Sequence, residues 1–236
     1  MVEEESKIIV KTGEEEEEFT SNYSESTERF EDLPLKPALL SAILEQHTKP
    51  TPLQKLAILP ILKRKNCIFQ AGKGTGKTGT FAIPILELLT PASPPPAFTL
   101  PEAIIMNPFP EHIAFIEEQL TLFSKNMEGI KIGILEHGGK CTQEAGAHVL
   151  IGTPDEVLLF LKKGEERNKD VKILVLDEAD DLLSFKVRKD AIDLVKLMPS
   201  GVCFVMIAKA MFQEILDWTK DFVSDPVKIS VKDILH

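Results

Sequence analysis

QAGKGTGKTGT, residues 70–80, is the stretch around which the chain is organised. Residues 66–70 just before it, NCIFQ, predict a short buried strand, and residues 80–89 just after it, TFAIPILELL, an apolar helix. A strand, a glycine-rich turn and a helix opening on Gly-Lys-Thr together make a phosphate-binding P-loop. Gly72, Gly74 and Gly76 permit backbone angles that a Cβ would forbid, and they bring N–H groups close to a ligand. Those N–H groups, with the positive end of the helix, form a nest for phosphate oxygens. Ala71 fills the small first position, and Lys73 and Thr75 complete the candidate binding loop. Lys77 brings a mobile charge to the outer phosphates. Thr78 offers a hydroxyl to Mg²⁺, an ion that keeps most of its waters and takes few protein ligands.

The same letters fit G-x-G-x-x-G over residues 74–79, the dinucleotide fingerprint. That reading wants an acid closing the next strand, roughly 20 residues on. The next predicted strand, residues 102–106, closes on Asn107 instead. A glycine-rich surface turn is the plainer alternative. Gly-Lys-Thr at a helix start is the more specific pattern and favours the P-loop.

The 236 residues suffice for one large α/β domain or two small ones, and 43% hydrophobic residues is ordinary for a packed core. The net charge of −10 is uneven. Residues 1–29 hold ten acids, Glu14 to Glu18 among them, against Lys7, Lys11 and Arg29, a balance of −7 that leaves −3 for the rest. The near-neutral body lacks the basic footprint of a tight nucleic-acid binder. Cys67, Cys141 and Cys203 form no C-x-x-C, so neither a zinc site nor a disulfide framework is indicated. A reducing compartment follows, with the cytoplasm expected and the nucleus as the alternative. No apolar secretory segment opens the chain, and no apolar run approaches the ~20 residues needed to span a bilayer.

Residues 1–29, rich in Glu, Ser and Thr, read as a disordered acidic tail, because a block of glutamates repels itself. From Phe30 the pattern changes. Helices are expected over residues 35–46 and 53–62, the second capped by Thr51 and kinked or ended by Pro60. Residues 91–101 are too proline-rich for regular structure. Beyond them strands (102–106, 130–136, 147–152, 172–176, 201–207, 227–231) alternate with helices (111–123, 154–162, 182–198, 211–222). Apolar strands alternating with helices predict a mostly parallel sheet covered on both faces. A single α/β domain over residues 30–232 is expected, with residues 233–236 as a short end.

Residues 172–180, KILVLDEAD, carry the second chemical signal. An acid at the carboxyl end of a buried parallel strand lies where open α/β sheets bind ligands. Asp177 there would face Mg²⁺ through a water, and Glu178 could polarise the water that attacks a γ-phosphate. The alternative is an acidic helix start stabilised by the helix dipole. A P-loop about a hundred residues upstream favours the functional reading.

Phe30, Pro50-Thr51-Pro52-Leu53-Gln54, the Ala71–Thr78 loop, His137-Gly138-Gly139, Thr153-Pro154 and Asp177-Glu178-Ala179-Asp180 occur in the order seen in DEAD-box RNA helicases. The chain resembles the N-terminal RecA-like lobe of that family, and residues 225–229, DPVKI, resemble its translation-initiation branch. The resemblance implies ATP and Mg²⁺ as cofactors and a RecA-like P-loop fold. It implies that Gln54 reads the adenine edge and that Phe30 packs on the adenine. Lys77 and Thr78 would hold phosphates and Mg²⁺, Asp177 the Mg²⁺ shell, Glu178 the attacking water. Asp180 would tie the site to the motif that follows.

The chain departs from the family where RNA is contacted. Pro110 stands for the arginine of P-T-R-E-L-A. Asp155 and Glu156 stand for the glycine and arginine of T-P-G-R. A carboxylate there sets like charge against phosphate and removes a positioning contact. The S-A-T motif, which in the family links ATP hydrolysis to strand separation, reads Ala208-Lys209-Ala210, without hydroxyls. A second lobe, which in the family supplies catalytic arginines, is not seen. The leading expectation is an ATP-binding helicase lobe that acts on RNA only with a partner lobe. The alternative is a catalytically weak module that regulates a helicase or RNA–protein complex through a protein partner. A P-loop kinase or GTPase is disfavoured by the D-E-A-D and Gln54 spacings and by the absence of N-K-x-D.

Overall fold

The computed structural model describes residues 6–12, 15–91, 99–143, 145–164, 166–183, 188–210 and 213–231. In these the strands are β1 (Ser6–Thr12), β2 (Glu15–Ser21), β3 (Cys67–Gln70), β4 (Ala103–Met106), β5 (Ile132–Glu136), β6 (Lys140–Cys141), β7 (Val149–Gly152), β8 (Ile173–Asp177), β9 (Cys203–Ala208) and β10 (Val227–Val231). The helices are α1 (Pro37–Gln46), α2 (Pro52–Leu62), α3 (Lys77–Leu88), α4 (Pro110–Ser124), α5 (Pro154–Lys162), α6 (Ala179–Leu182), α7 (Arg188–Lys196) and α8 (Gln213–Thr219). The expected end at 233–236 and most of the proline-rich connection lie outside the described residues.

The strands form one sheet in the order β1-β2-β10-β3-β9-β8-β4-β7-β5-β6. From β10 to β5 every pairing is parallel. The inner parallel strands β4, β7, β8 and β9 are apolar on both sides because both faces of the sheet are covered there. Alternate residues divide between two cores. Phe69, Ile105, Val175 and Val205 face the side of α1 to α4, while Ile68, Ile104, Leu174 and Met206 face the side of α5 to α8. The fold is thus the single RecA-like α/β domain that the sequence predicts, with helices on both faces.

The acidic tail is where the sequence reading fails. Residues 6–12 and 15–21, expected to be disordered, form β1 and β2, which pair antiparallel with each other, and β2 pairs antiparallel with β10. Pairing with β10, over 200 residues away, supplies backbone hydrogen bonds that local composition cannot reveal. Phe19 closes the attachment and is fully buried. Helix α2 runs to Leu62 as expected, with Pro60 inside it rather than at its end. The helix expected over 182–198 is described as α6 and α7, with residues 184–187 outside the described set.

Candidate functional site

The carboxyl ends of β3, β9, β8 and β4 meet on one edge of the sheet, and the chemically loaded residues gather there. The P-loop leaves β3 at Gln70, tied to the neighbouring strand by Ala71 N–H to Ala208 O at 3.0 Å. Gly76 is the N-cap of α3 in a left-handed conformation, φ +83°, which a residue with a Cβ adopts only at a cost. A Cβ there would also lie 2.8 Å from Thr51 Oγ1.

Thr51 and Gln54 explain that crowding. They form a capping box at the start of α2, Thr51 Oγ1 accepting from Gln54 N and Gln54 Oε1 accepting from Thr51 N at 3.0 Å. The same two side chains then reach the P-loop. Thr51 Oγ1 donates to Thr75 O at 2.8 Å and Gln54 Nε2 donates to Gly76 O at 3.2 Å. Thr75 closes the turn on itself through Gly72 O at 3.0 Å. The start of α2 therefore clamps the P-loop from behind. Gln54 is 5% exposed, its carbonyl engaged on Thr51 N and one amide N–H on Gly76 O.

Phe30 does not take its expected place. Its ring is fully buried in the core among the α1-to-α4 side chains and shows no face to a ligand. An aromatic ring gains more from complete enclosure in a core than from one exposed stacking face.

Lys77 begins α3, and its Nζ lies 3.2 Å from Glu178 Oε1. Glu178 has a left-handed backbone, φ +55°, and precedes α6 without capping it. Its other oxygen, Oε2, lies 3.0 Å from Lys209 Nζ. Burial works to raise the Glu178 carboxyl, but Lys209 and Lys77 outweigh it and hold the group below its usual range. Asp177, the last residue of β8, is buried beside it. Asn107 Nδ2 donates to Asp177 Oδ2 at 2.8 Å, while Oδ1 is buried with no hydrogen-bond partner among the described residues. Burial pushes the Asp177 carboxyl up to about 6. Asp180 Oδ2 accepts from the Ala210 amide at 3.4 Å, so a link to the segment after β9 survives through a backbone donor.

Thr78 stands in the first turn of α3, and Lys73 is exposed at the loop tip. The carboxylates that approach one another within 4.8 Å are those of Glu178, Asp180 and Asp181, whereas Thr78 and Asp177 were the expected metal residues. A hydrated Mg²⁺ needs few direct ligands, and the orphaned Asp177 Oδ1 is an acceptor that suits its water shell.

A second constellation lies further along the same edge. The Glu156 carboxylate accepts the N–H of Gly138 at 3.2 Å and that of Gly139. Lys163 Nζ donates to the carbonyls of the same two glycines. A separate cleft of 460 Å³, bounded by Glu102, His148 and Lys172, lies at the amino ends of β4, β7 and β8, away from these groups. There Glu102 is already paired with Lys172 and Thr90.

The model of the DEAD/DEAH box helicase family matches residues 51–215. The chain belongs to that family. It is 31% identical to the ATP-dependent RNA helicase eIF4A of Schizosaccharomyces pombe, over 90% of this chain and 54% of the relative. It is 35% identical to the ATP-dependent RNA helicase FAL1 of Eremothecium gossypii, over 86% of this chain and 52% of the relative. A DEAD box protein from the hyperthermophile Methanococcus jannaschii shares its fold with a TM-score of 0.78 at 29% identity, over 88% of this chain and 57% of that one. Dbp5 of S. cerevisiae, in a structure with Gle1 and IP6, matches with a TM-score of 0.79 at 25% identity, over 89% of this chain and 54% of that one. The chain spans about half the length of the curated relatives it matches, and it is homologous to the N-terminal DEAD-box domain of eIF4A.

Several site residues escape the sequence reading. Thr51 reads there as a helix cap within the Pro50–Gln54 run and not as a P-loop contact, although Thr-x-x-Gln is the capping-box signature that ties it to Gln54. Asn107 reads only as the end of a strand. Lys209 registers as a lost hydroxyl motif, not as a gained cation.

Proposed function

We propose that this DEAD-box lobe binds ATP with Mg²⁺ and couples it to RNA remodelling only when a second lobe is supplied. The observation that carries the reading is the meeting of Lys77 and Glu178 at 3.2 Å beside Asp177, whose Oδ1 is buried and unpartnered. Bound MgATP would supply a labile phosphoanhydride with its charge partly neutralised. Lys77 would leave Glu178 for the outer phosphates, and the P-loop amides would cradle the inner ones. Thr78 and Asp177 would hold the ion and its waters. Glu178 would orient the attacking water. Gln54, with one N–H beyond its bond to Gly76, is the group for the adenine edge. Titration with a fluorescent ATP analogue tests the reading: Lys77→Ala should abolish binding, and unchanged affinity would sink it.

A second reading has specific support. Glu156 sits on the Gly138 and Gly139 amides, and Lys209 on Glu178. Both favour a nucleotide-holding module that regulates a helicase through protein contacts. A second lobe's arginine is worth roughly 10³–10⁵ in rate where one serves. Turnover is therefore measured with and without RNA, and with a related helicase's isolated second lobe. RNA-stimulated turnover would support the working lobe. Flat turnover with Lys77-dependent binding would support the module.

A further inference from the structure

Glu178 is a single buried carboxylate bridging two ammonium groups. Lys77 Nζ lies 3.2 Å from one oxygen and Lys209 Nζ 3.0 Å from the other. The Glu178 side chain is 6% exposed, Lys77 13% and Lys209 49%. Its position is not set by helix capping, because it makes no side-chain bond to the start of α6. The two lysines hold it by charge, Lys77 with a hydrogen bond as well and Lys209 as an ion pair whose oxygen makes no aligned hydrogen bond among the described residues.

They are not equivalent. Lys77 begins the helix behind the P-loop, so it is the one drawn away when phosphates enter. Lys209 follows β9, between the P-loop strand and the strand that carries Asp177 and Glu178. Asp181 and Asp180 add to the negative field around its ammonium. Removing one partner from a buried ion pair is costly because the other charge is left uncompensated. With Lys77 gone and nothing in its place, Glu178 would be a buried anion close to incoming phosphates.

We propose that Lys209 is a positioning residue that becomes the sole counter-ion of Glu178 when Lys77 turns to a nucleotide. The hand-over rests on the nucleotide-binding reading above. It assigns the Ala208-Lys209-Ala210 segment a function of its own: it lowers the cost of recruiting Lys77 and pins Glu178 in the nucleotide-bound lobe. A carboxylate so pinned has one oxygen committed to an ammonium and less freedom to follow a water.

The test is a double-mutant cycle on MgATP affinity, measured by calorimetry on the full chain. Lys209→Met keeps the length and removes the charge. It should weaken MgATP about tenfold in the Glu178 background, Lys209 being half-exposed and so partly compensated by solvent. In the Glu178→Gln background the same change should alter affinity less than about twofold, since no buried anion then needs a partner. Lys209→Arg should keep wild-type affinity. A purely structural role would weaken binding equally in both backgrounds and would overturn the hand-over, as would Lys209→Met matching wild type. Lys209→Ala serves as the second variant if the methionine protein melts early. A wild-type chain that binds no MgATP brings down the nucleotide reading and the hand-over with it. Binding that is sensitive to Lys77→Ala but indifferent to Lys209→Met brings down the hand-over alone.

Discussion

Glu156 accepts the backbone N–H of Gly138 at 3.2 Å, and its second oxygen takes the N–H of Gly139. A carboxylate thus occupies a pair of adjacent amides of the kind that elsewhere bind a phosphate oxygen. Glu156 fills the place such an anion would take. Replacing it with Arg should free both amides and add a cation. Binding of a labelled single-stranded RNA, followed by fluorescence anisotropy, should strengthen at least tenfold at low salt. The dependence of log K on log salt should steepen by about 0.7, the increment for one added phosphate contact on a single strand. Equal affinity and slope for E156R and wild type would show that this pair of amides has no part in RNA binding.

Asp177, with its raised carboxyl, should make the metal-free protein sensitive to pH. Its folded carboxyl is raised to about 6 from an ordinary 3.8, so between those values the folded chain holds the proton more tightly than the unfolded chain. Stability therefore falls as pH rises through that window, and the full penalty is present above it. The penalty is on the order of 3 kcal/mol for such a shift. Asp177→Asn should accordingly stabilise the Mg²⁺-free protein at pH 7 to 8 and match wild type near pH 4. Urea unfolding across that range measures the difference, and parallel curves would refute the assignment.

Phe19 decides between the paired strands and a loose tail. It is fully buried on β2, next to β10. Truncating a buried Phe to Ala costs about 3–5 kcal/mol, whereas the same change in an unstructured tail costs nothing. A melting temperature unmoved by Phe19→Ala would restore the tail reading. Hydrogen exchange gives a second check, because Asn22 N donates to Lys228 O and alternate amides of an antiparallel pair point to the partner, so the Thr20 amide, opposite Ser230, should be protected by β10.

The parts legible in the sequence are those whose signals are local. The strand, turn and helix around residues 70–80 and the apolar strands on either side are written in consecutive residues. Pro154–Lys162 and Val227–Val231 fall where their patterns place them. The parts missed depend on partners far along the chain. Glu15 to Glu18 read as self-repelling, yet in the paired strands they stand opposite Thr12, Lys11, Val10 and Ile9, and their strand is tied to β10. Phe30 has the same letter whether it stacks on a ligand or fills a core, and only the surrounding α1-to-α4 side chains decide for the core. Lys209 becomes informative only once β9 lies beside β8 and its side chain meets Glu178.

Gly79 reports on the clamp behind the P-loop. A Cβ at this position would lie 2.6 Å from Gln54 Nε2. The Gln54 amide is the end of a flexible side chain, but it is held by Thr51 N and Gly76 O, so moving it costs those bonds. Glycine to alanine inside a helix otherwise gains up to about 1 kcal/mol. In the wild-type background Gly79→Ala should therefore destabilise, by about 1–2 kcal/mol if one partly buried hydrogen bond is lost. In a Gln54→Ala background the obstacle is gone, and the same substitution should stabilise. Chemical denaturation of the four proteins reads the change of sign directly. If Gly79→Ala has the same effect in both backgrounds, Gln54 does not clamp the P-loop. A reversal would mean that the helix start at Thr51 and the phosphate loop move as one unit, held by a side chain that sequence reading assigns to the base.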